Sequence, residues 1–385
     1  MITNLQPEFT GAASVYPWSQ SLEDSFTSVN RFGEPIKMAF KRGNSLYVPR
    51  ETVPLGKQDV RTHGVPKPFK DNFEPVNDEQ GPLTDKSIAL LKQGQSHIFE
   101  SPTGSGKSVM GGHIACALGL PTLIVVNKSD LMDSWYDALV HVLGVPPKEV
   151  GKVQQDTYDW KDKRFVLAMI HSLVIPDKYP QEMYNYFGLM IVDEVDVVAA
   201  ETFVNSCWLV PAALRLGLTA TPDRGDGKWK VVTGHMGSVM VRGTMVPMKA
   251  KVLVQKTNWH IPTYRKFEDG SYVQTKIAHS PGRMMTVSKA MSMNQPRNML
   301  IAEFAVSAYN AGRHCLILSD LSDHLDRLFQ VITALGVSGE NIGYYVGGMS
   351  KAELEITKKK KRIILGTYKM METSGRSKTG TILST

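Results

Sequence analysis

The sequence predicts an α/β fold in which two parallel sheets follow one another along the chain. From about residue 83 onward, short apolar runs of strand length alternate with segments of helical character. A glycine-rich loop at residues 101–108 joins one of these runs to a helix, and the alternation begins again near residue 297. Continuous apolar strands that alternate with helices are typical of parallel sheets covered on both faces.

The first 80 residues have a different pattern and form a predicted N-terminal accessory module. They are rich in proline, glycine and charged residues, and their hydrophobic periodicity is weak. Short β-like runs occur, for example at residues 45–48. We therefore expect a small irregular module at residues 1–80, with a linker around residues 65–82.

The first α/β domain is predicted at residues 81–242. Its helix at residues 129–142 is expected to begin at a polar cap, either Ser129 or Asp130, since such side chains accept bonds from the first helical amides. The other predicted elements are helices at 84–92 and 108–118 and strands at 96–100, 122–126, 165–170, 189–192 and 214–218.

The second α/β domain is predicted at residues 243–385, and its periodic part follows a polar stretch at 255–282. A basic run at 358–362 is interpreted as the solvated end of a helix, with contact to a phosphate backbone as the alternative. The predicted elements are helices at 297–311 and 322–335, strands at 315–319, 342–345 and 362–365, and a last apolar run at 381–383.

Composition narrows the class of protein. The chain has 385 residues, and its net charge of +7 favours a polyanionic partner such as nucleic acid. Its three cysteines, Cys116, Cys207 and Cys315, have no paired spacing, which argues against a disulfide framework or a zinc site. No apolar run reaches the roughly 18 residues that span a membrane. We therefore expect a cytoplasmic protein without a membrane partner.

The loop at residues 101–108 has the sequence Ser-Pro-Thr-Gly-Ser-Gly-Lys-Ser, which is typical of a phosphate-binding loop. Gly104 and Gly106 let the backbone turn its N–H groups toward phosphate oxygens. Lys107 can reach the β- and γ-phosphates, and the hydroxyl of Ser108 can bind Mg²⁺. Ser101 departs from the strict pattern, which has glycine at that position. The predicted nucleotide-binding residues are Thr103, Gly104, Ser105, Gly106, Lys107 and Ser108.

An acidic sequence follows the apolar run at 189–192. Because the carboxyl ends of parallel strands are where ligands bind in open α/β sheets, these acids are expected at a site. Asp193 can hold the Mg²⁺ that Ser108 also binds, and Glu194 can orient or deprotonate an attacking water. A solvated acidic turn is the alternative interpretation of this sequence alone.

The sequence Leu-Gly-Leu-Thr-Ala-Thr-Pro at residues 216–222 is the third pattern. Thr219 and Thr221 place two hydroxyls where they can sense the acidic cluster and the γ-phosphate. An ordinary strand-to-turn junction, ended by threonine and proline, is the alternative.

Taken in order, these three segments resemble motifs I, II and III of a superfamily 2 helicase of the DEAD/DEAH-like kind. Looser likenesses to later motifs follow, so that the resemblance covers residues 83–385, and the chain resembles the phage DNA-repair and branch-migration helicases of the UvsW type. The resemblance implies two RecA-like domains, a P-loop NTPase fold, and the cofactors ATP and Mg²⁺. It assigns catalytic roles to Lys107, Asp193 and Glu194, and coupling roles to Asp196, Thr219 and Thr221.

Two departures from the family give further expectations. The family usually carries a glutamine upstream of the loop that reads adenine or supports the loop, and the stretch at residues 81–86 has none, so we expect neither role to be filled here. The family also continues into motif VI, whose arginines stabilise the transferring phosphoryl group. The given sequence ends before that motif. We therefore expect an incomplete second domain and weak hydrolysis by this chain alone, with a second chain supplying motif VI.

The resulting hypothesis is an ATP-dependent DNA helicase or translocase that acts on single-stranded, forked or branched DNA in repair, recombination or replication. A phage-encoded chain of this kind would work in the host cytoplasm. Two alternatives stay open. One is an RNA helicase or a restriction-type translocase, and the other is a fragment that binds ATP and DNA with little ATPase activity of its own.

Overall fold

The computed structural model describes residues 8–9, 11–29, 33–52, 60–196, 201–220, 228–243, 254–257, 264–266, 268–274, 281–374 and 381–384. The chain divides into two compact units, Met1–Lys249 and Ala250–Thr385. Within the described residues, no helix combines the length and the hydropathy needed to cross a membrane. The three cysteines are all buried as free thiols.

An antiparallel sheet opens the first unit. Its strand order is β1-β2-β6-β5, with a separate ribbon of β3 and β4 beside a short helix α1. The elements are β1 (Glu8–Phe9), β2 (Ala13–Pro17), α1 (Gln20–Ser25), β3 (Thr27–Val29), β4 (Pro35–Lys37), β5 (Phe40–Arg42) and β6 (Ser45–Pro49). Six buried side chains give this module a core of its own: Tyr16, Leu22, Phe26, Ala39, Leu46 and Val48. The small module expected at the N-terminus is therefore folded around its own core, and the β-like run expected at residues 45–48 lies in β6.

The predicted linker at residues 65–82 is also not a free connection. Its backbone bonds to the first α/β domain, from Lys67 N–H to the Gly119 carbonyl and from Asn72 N–H to the Leu143 carbonyl. Phe69 and Phe73 pack against the buried core of that domain. These contacts were not predictable from the sequence, because an extended segment without hydrophobic periodicity makes them.

The eight-stranded sheet of the first unit has the order β10-β9-β11-β8-β12-β13-β7-β14 and is parallel except for β10. Its strands are β7 (His97–Glu100), β8 (Thr122–Val126), β9 (Val150–Gln154), β10 (Thr157–Tyr158), β11 (Phe165–Met169), β12 (Leu189–Val192), β13 (Leu214–Thr219) and β14 (Val239–Arg242). The helices are α2 (Gln80–Lys92), α3 (Lys107–Leu118), α4 (Ser129–Asp137), α5 (Ile170–Leu173), α6 (Gln181–Tyr184), α7 (Glu201–Leu209) and α8 (Trp229–Met236).

Both faces of this sheet are covered, as the continuous apolar strands predict. All five residues of β8 are buried. Leu123 and Val125 belong to one core cluster and Ile124 and Val126 to the other, so alternate side chains enter opposite layers. The strands predicted at 122–126 and 189–192 are confirmed at those bounds.

Two helix predictions in this domain need correction. The helix that follows β8 has Lys128 as its N-cap, and neither Ser129 nor Asp130 caps it with a side-chain bond. It also changes at residue 138 into a π-helical turn, Ala138–Val142. The helix predicted at 84–92 begins at Gln80, where Asn77 accepts bonds from the backbone N–H groups of Glu79 and Gln80.

The second unit contains a four-stranded parallel sheet of order β18-β19-β17-β20 and a two-stranded ribbon, β15 and β16. The strands are β15 (Tyr264–Lys266), β16 (Tyr272–Gln274), β17 (Cys315–Leu318), β18 (Ile342–Tyr345), β19 (Ile363–Gly366) and β20 (Thr381–Ser384). The helices are α9 (Pro281–Ser292), α10 (Gln295–Asn310), α11 (Ser322–Ala334), α12 (Lys351–Lys360) and α13 (Tyr368–Ser374). The basic run lies at the end of α12, as the interpretation of a helix end requires.

Candidate active site

Three neighbouring strands bring the predicted site residues to one edge of the large sheet. Strand β13 lies between β7, which leads into the glycine-rich loop, and β12, which leads into the acidic turn. The Thr219 carbonyl accepts a bond from Ser101 N–H at 3.0 Å, and the Leu218 carbonyl accepts one from Val195 N–H at 2.9 Å. The loop, the acidic turn and the end of β13 are therefore joined by backbone hydrogen bonds.

The loop itself is built on two left-handed glycines. Gly104 has φ +84° and Gly106 has φ +88°, and Gly106 is the residue from which α3 starts. Other residues adopt this region only at a cost, so the pattern needs glycine at both positions. Ser101 has a structural role as well, because its hydroxyl donates to the Ser105 hydroxyl at 2.6 Å. The departure from the strict pattern thus adds a bond across the loop.

Lys107 is the first residue of α3 and is buried. Its ammonium donates to the Ser101 carbonyl at 3.2 Å. The same Nζ lies 3.8 Å from Oε1 of Glu194. The loop lysine and the acidic turn, which are far apart in sequence, therefore face each other at the sheet edge. Ser108 follows in the first turn of α3 and is buried too.

Asp193 has a carboxylate held at both oxygens. Oδ2 accepts a bond from the indole Nε1 of Trp135 at 2.8 Å, and Oδ1 accepts one from the backbone N–H of Glu194 at 2.9 Å. The residue is 3 % exposed. Carboxylate and hydroxyl oxygens are the hard donors that Mg²⁺ prefers, so the chemistry of Asp193 and Ser108 fits a nucleotide-borne Mg²⁺.

Glu194 occupies a strained position. Its φ of +50° places a non-glycine residue in the left-handed region, which is uncommon and concentrated at functional sites. Burial raises the pKa of its carboxyl group, and the charges of Asp193 and Asp196 raise the pKa further, while Lys107 lowers it. A carboxylate with a raised pKa is a stronger base than an ordinary carboxylate, which suits it to take a proton from water.

The predicted coupling residues are brought together in part. The Thr219 hydroxyl donates to Oδ1 of Asp196 at 2.7 Å, and both residues are buried. This bond links the end of β13 to the acidic turn after β12. Thr221 lies outside the described residues.

Gln80 is a site residue that the sequence argument missed. Its Nε2 donates to the Ser105 carbonyl at 2.7 Å, and its Oε1 accepts a bond from Val76 N–H at 2.8 Å. The expectation that no glutamine supports the loop is therefore wrong, because the glutamine lies one residue before the stretch at 81–86. Asn77, which accepts bonds from the Glu79 and Gln80 N–H groups, and Pro82 in the first turn are the sequence signals for the start of α2 at Gln80.

Comparison with known proteins shows what the region around this site is similar to. Residues 73–224 match the family described as type III restriction enzyme, res subunit (ResIII). A protein of Acanthamoeba polyphaga mimivirus, assigned by name to the ATP-dependent RNA helicases, is 27% identical over 346 residues, which cover 84% of this chain and 65% of that protein. The DNA 3'-5' translocase XPB2 of Sulfurisphaera tokodaii is 29% identical over 169 residues, which cover 43% of this chain and 36% of that protein.

The chain spans less than two thirds of the length of these curated relatives. Among solved structures, the Hef helicase domain of Pyrococcus furiosus aligns with 78% of this chain and 94% of its own at a TM-score of 0.51 and 12% identity. That likeness supports the fold, namely a RecA-like arrangement of parallel sheets. Residues 73–224 thus match the ResIII family, and the fold and the three motifs in order are similar to those of superfamily 2 helicases.

Proposed function

We propose that this chain is a motor that binds Mg²⁺-ATP and uses its hydrolysis to move along or unwind DNA. The observation that carries the proposal is the approach of Lys107 to Glu194, 3.8 Å apart, beside the fixed carboxylate of Asp193. A phosphate-loop lysine, a metal-binding acid and a strained glutamate are the groups that ATP hydrolysis requires at one place.

Each residue has a proposed task. Backbone N–H groups of residues 103–106 and the Lys107 ammonium would bind the phosphates, with Gln80 holding the loop through the Ser105 carbonyl. Ser108 and Asp193 would hold Mg²⁺, which neutralises phosphate charge when bound. Glu194 would orient the attacking water and accept its proton.

The coupling of hydrolysis to movement is assigned to the pair of Thr219 and Asp196. Their bond joins the end of β13, which lies beside the loop, to the acidic turn that contains Glu194. A change at the phosphates would therefore reach the end of β13. Thr221 is proposed to take part through its own hydroxyl.

DNA is the proposed substrate. The net charge of +7 suits a phosphate backbone. The resemblance of the motifs to phage DNA-repair helicases favours DNA, and one relative is named as a DNA translocase. The finer placement with the UvsW-type helicases stays a prediction, as do action on forked or branched DNA and a cytoplasmic location.

Steady-state ATPase rates on a panel of nucleic acids test the proposal. The panel would contain single-stranded, duplex and forked DNA and matching RNA forms, each at several salt concentrations. DNA-stimulated turnover that Lys107→Ala abolishes is the expected result. Turnover that no nucleic acid stimulates, or that survives the loss of Lys107, would contradict it.

An RNA helicase is the second candidate, since the mimivirus relative carries that name. In the same panel it would show stimulation by RNA that exceeds stimulation by DNA. A restriction-type translocase, suggested by the ResIII family description, would instead displace a third strand from duplex DNA without separating the duplex.

A further inference from the structure

Trp135 lies at the junction of the phosphate-loop helix and the acidic turn. It is fully buried, with 0 % exposure, in the helix α4 that follows β8. Its position in the sequence suggests a core residue, and its burial agrees. Its indole nitrogen, however, has a polar partner, because it donates to Oδ2 of Asp193 at 2.8 Å.

The ring is held on the opposite side by α3. A Cβ added at Gly111 would lie 2.9 Å from Cη2 of Trp135 and 3.1 Å from Cδ1 of Leu218. Any side chain at position 111 would therefore push on the indole. The phosphate-loop helix therefore leaves no room for a side chain beside the Trp135 ring, whose indole nitrogen bonds to the Asp193 carboxylate.

This contact determines how Asp193 presents its oxygens. One oxygen receives the indole N–H and the other receives the Glu194 N–H, so rotation of the carboxylate would break a bond at either end. Indole is a donor without acceptor capacity, and it therefore favours the charged, accepting form of the carboxylate. A phenylalanine would fill much of the same space without supplying that bond.

We propose that Trp135 is a positioning residue for the Mg²⁺ ligand Asp193 and sets the strength of metal binding from inside the protein. The inference rests on the proposed function, because it requires Asp193 to bind Mg²⁺. Groups that hydrogen-bond to a metal ligand orient it, and their loss commonly weakens metal affinity by about 10- to 100-fold.

The test separates metal binding from nucleotide binding. Calorimetric titrations with the non-hydrolysable analogue AMP-PNP would be carried out in excess Mg²⁺ and in EDTA. The ratio of the two affinities gives the gain due to the metal. In Trp135→Phe we expect that gain to fall by about tenfold or more, with the affinity in EDTA unchanged. Mn²⁺ binding followed by electron paramagnetic resonance should weaken in parallel.

Trp160→Phe is the matched control, since it removes another buried indole, one that packs edge-on against Tyr186. Trp160→Phe should keep the full gain in AMP-PNP affinity that Mg²⁺ provides. A double-mutant cycle adds a second condition: in an Asp193→Asn background, Trp135→Phe should cause no further loss of the gain. If Trp135→Phe does not fold, Gly111→Ala gives the same test by displacing the ring with its indole intact.

The outcomes distinguish this inference from the function on which it rests. A wild-type chain that gains no affinity from Mg²⁺ would overturn both. A wild-type chain that gains affinity, together with a Trp135→Phe variant that gains as much, would overturn the inference alone. An effect of equal size in Trp160→Phe would also overturn it.

Discussion

At the scale of single residues, Glu194 combines a left-handed backbone with a half-buried carboxyl group whose pKa is raised. Each of these features lowers the stability of the folded chain, because the backbone is strained and the charge is poorly solvated. A residue that served only the fold would be expected to lose such features. Their presence 3.8 Å from Lys107 supports a chemical role for Glu194.

Replacing Glu194 by glutamine tests that view through both rate and stability. We expect Glu194→Gln to bind ATP normally and to hydrolyse it about 10²- to 10⁴-fold more slowly, the range found for a lost general base. We also expect the variant to be more stable than the wild type at neutral pH. The measurements are turnover rates and thermal unfolding across about pH 4 to 8.

The sign of the pH effect follows from the direction of the pKa shift. Folding raises the pKa of Glu194 above its ordinary value of 4.5, so the folded chain holds that proton more tightly than the unfolded chain does. The charged side chain therefore costs stability at neutral pH, and this cost vanishes as the pH falls below 4.5. Glu182→Gln, at an exposed site, is the control. A stability gain that does not depend on pH would contradict the argument.

Gln80 gives a second prediction at this scale. Gln80→Glu keeps the size of the side chain and its acceptor but removes the N–H that bonds to the Ser105 carbonyl. Two oxygens would then face each other, so the loop should move and ATP affinity should fall about tenfold, as for a lost bond worth about 1.4 kcal/mol. Gln93→Glu, exposed at the end of the same helix, should leave the affinity unchanged. Equal affinity in the two variants would count against a role for Gln80.

At the scale of elements, the continuous apolar strands were predictable and the irregular parts were not. The pattern of β8 and β12 gave both the bounds and the burial on both faces, since a strand inside a parallel sheet needs apolar side chains throughout. The π-helical turn at Ala138–Val142 and the cap at Lys128 have no comparable pattern, because tertiary packing determines them. The indole bond of Trp135 could not be predicted either, since it joins two segments 58 residues apart.

The bond between β13 and the acidic turn allows a prediction at this scale. Thr219→Val keeps the branched shape but removes the hydroxyl that donates to Asp196 at 2.7 Å. We expect a loss of about 1–3 kcal/mol in the free energy of unfolding. Strand separation on forked DNA should fall more than ATP turnover does, because the element that transmits the change is affected and the hydrolytic groups are not. Both rates would be measured on the same substrate.

Thr219→Ser provides the comparison because it retains the hydroxyl. Its ratio of strand separation to ATP turnover should stay close to that of the wild type. If valine and serine lower that ratio equally, the loss comes from packing at position 219, and the coupling role of the hydroxyl is wrong.

At the scale of the whole molecule, a buried arginine ties the N-terminal module to the large sheet. Arg50 donates from Nη1 to the carbonyls of Gly11 and Ala212 and from Nη2 to that of Ala213. Burial lowers the pKa of Arg50 to about 9, and the charge of Arg215 acts in the same direction. The module is therefore joined to the residues that lead directly into β13. Its sheet was not predictable because its strands are short and come from segments rich in proline and glycine.

These contacts of Arg50 predict a loss of stability when the residue is replaced. Arg50→Met removes these three bonds and the ion pair with Glu51, and it leaves buried carbonyl groups without that donor, so the free energy of unfolding should fall by about 3–5 kcal/mol. Urea unfolding would measure the change. Arg42→Met, at an exposed position in the same module, should shift it by less than about 0.5 kcal/mol. A midpoint that Arg50→Met leaves unaltered would show that the module is not anchored through this residue.

The position of β13 between β7 and β12 has a consequence for how such a chain can change over evolutionary time. The gap between the nucleotide loop and the acidic turn equals two inter-strand spacings, roughly 9–10 Å, and backbone pairing alone keeps that width. More than eighty residues separate these two segments along the chain, yet the loops between them could lengthen or shorten without altering the gap. The middle strand therefore fixes the distance between the nucleotide loop and the acidic turn. Changes of loop length elsewhere in the domain leave this distance unchanged, and with it the fit to a triphosphate.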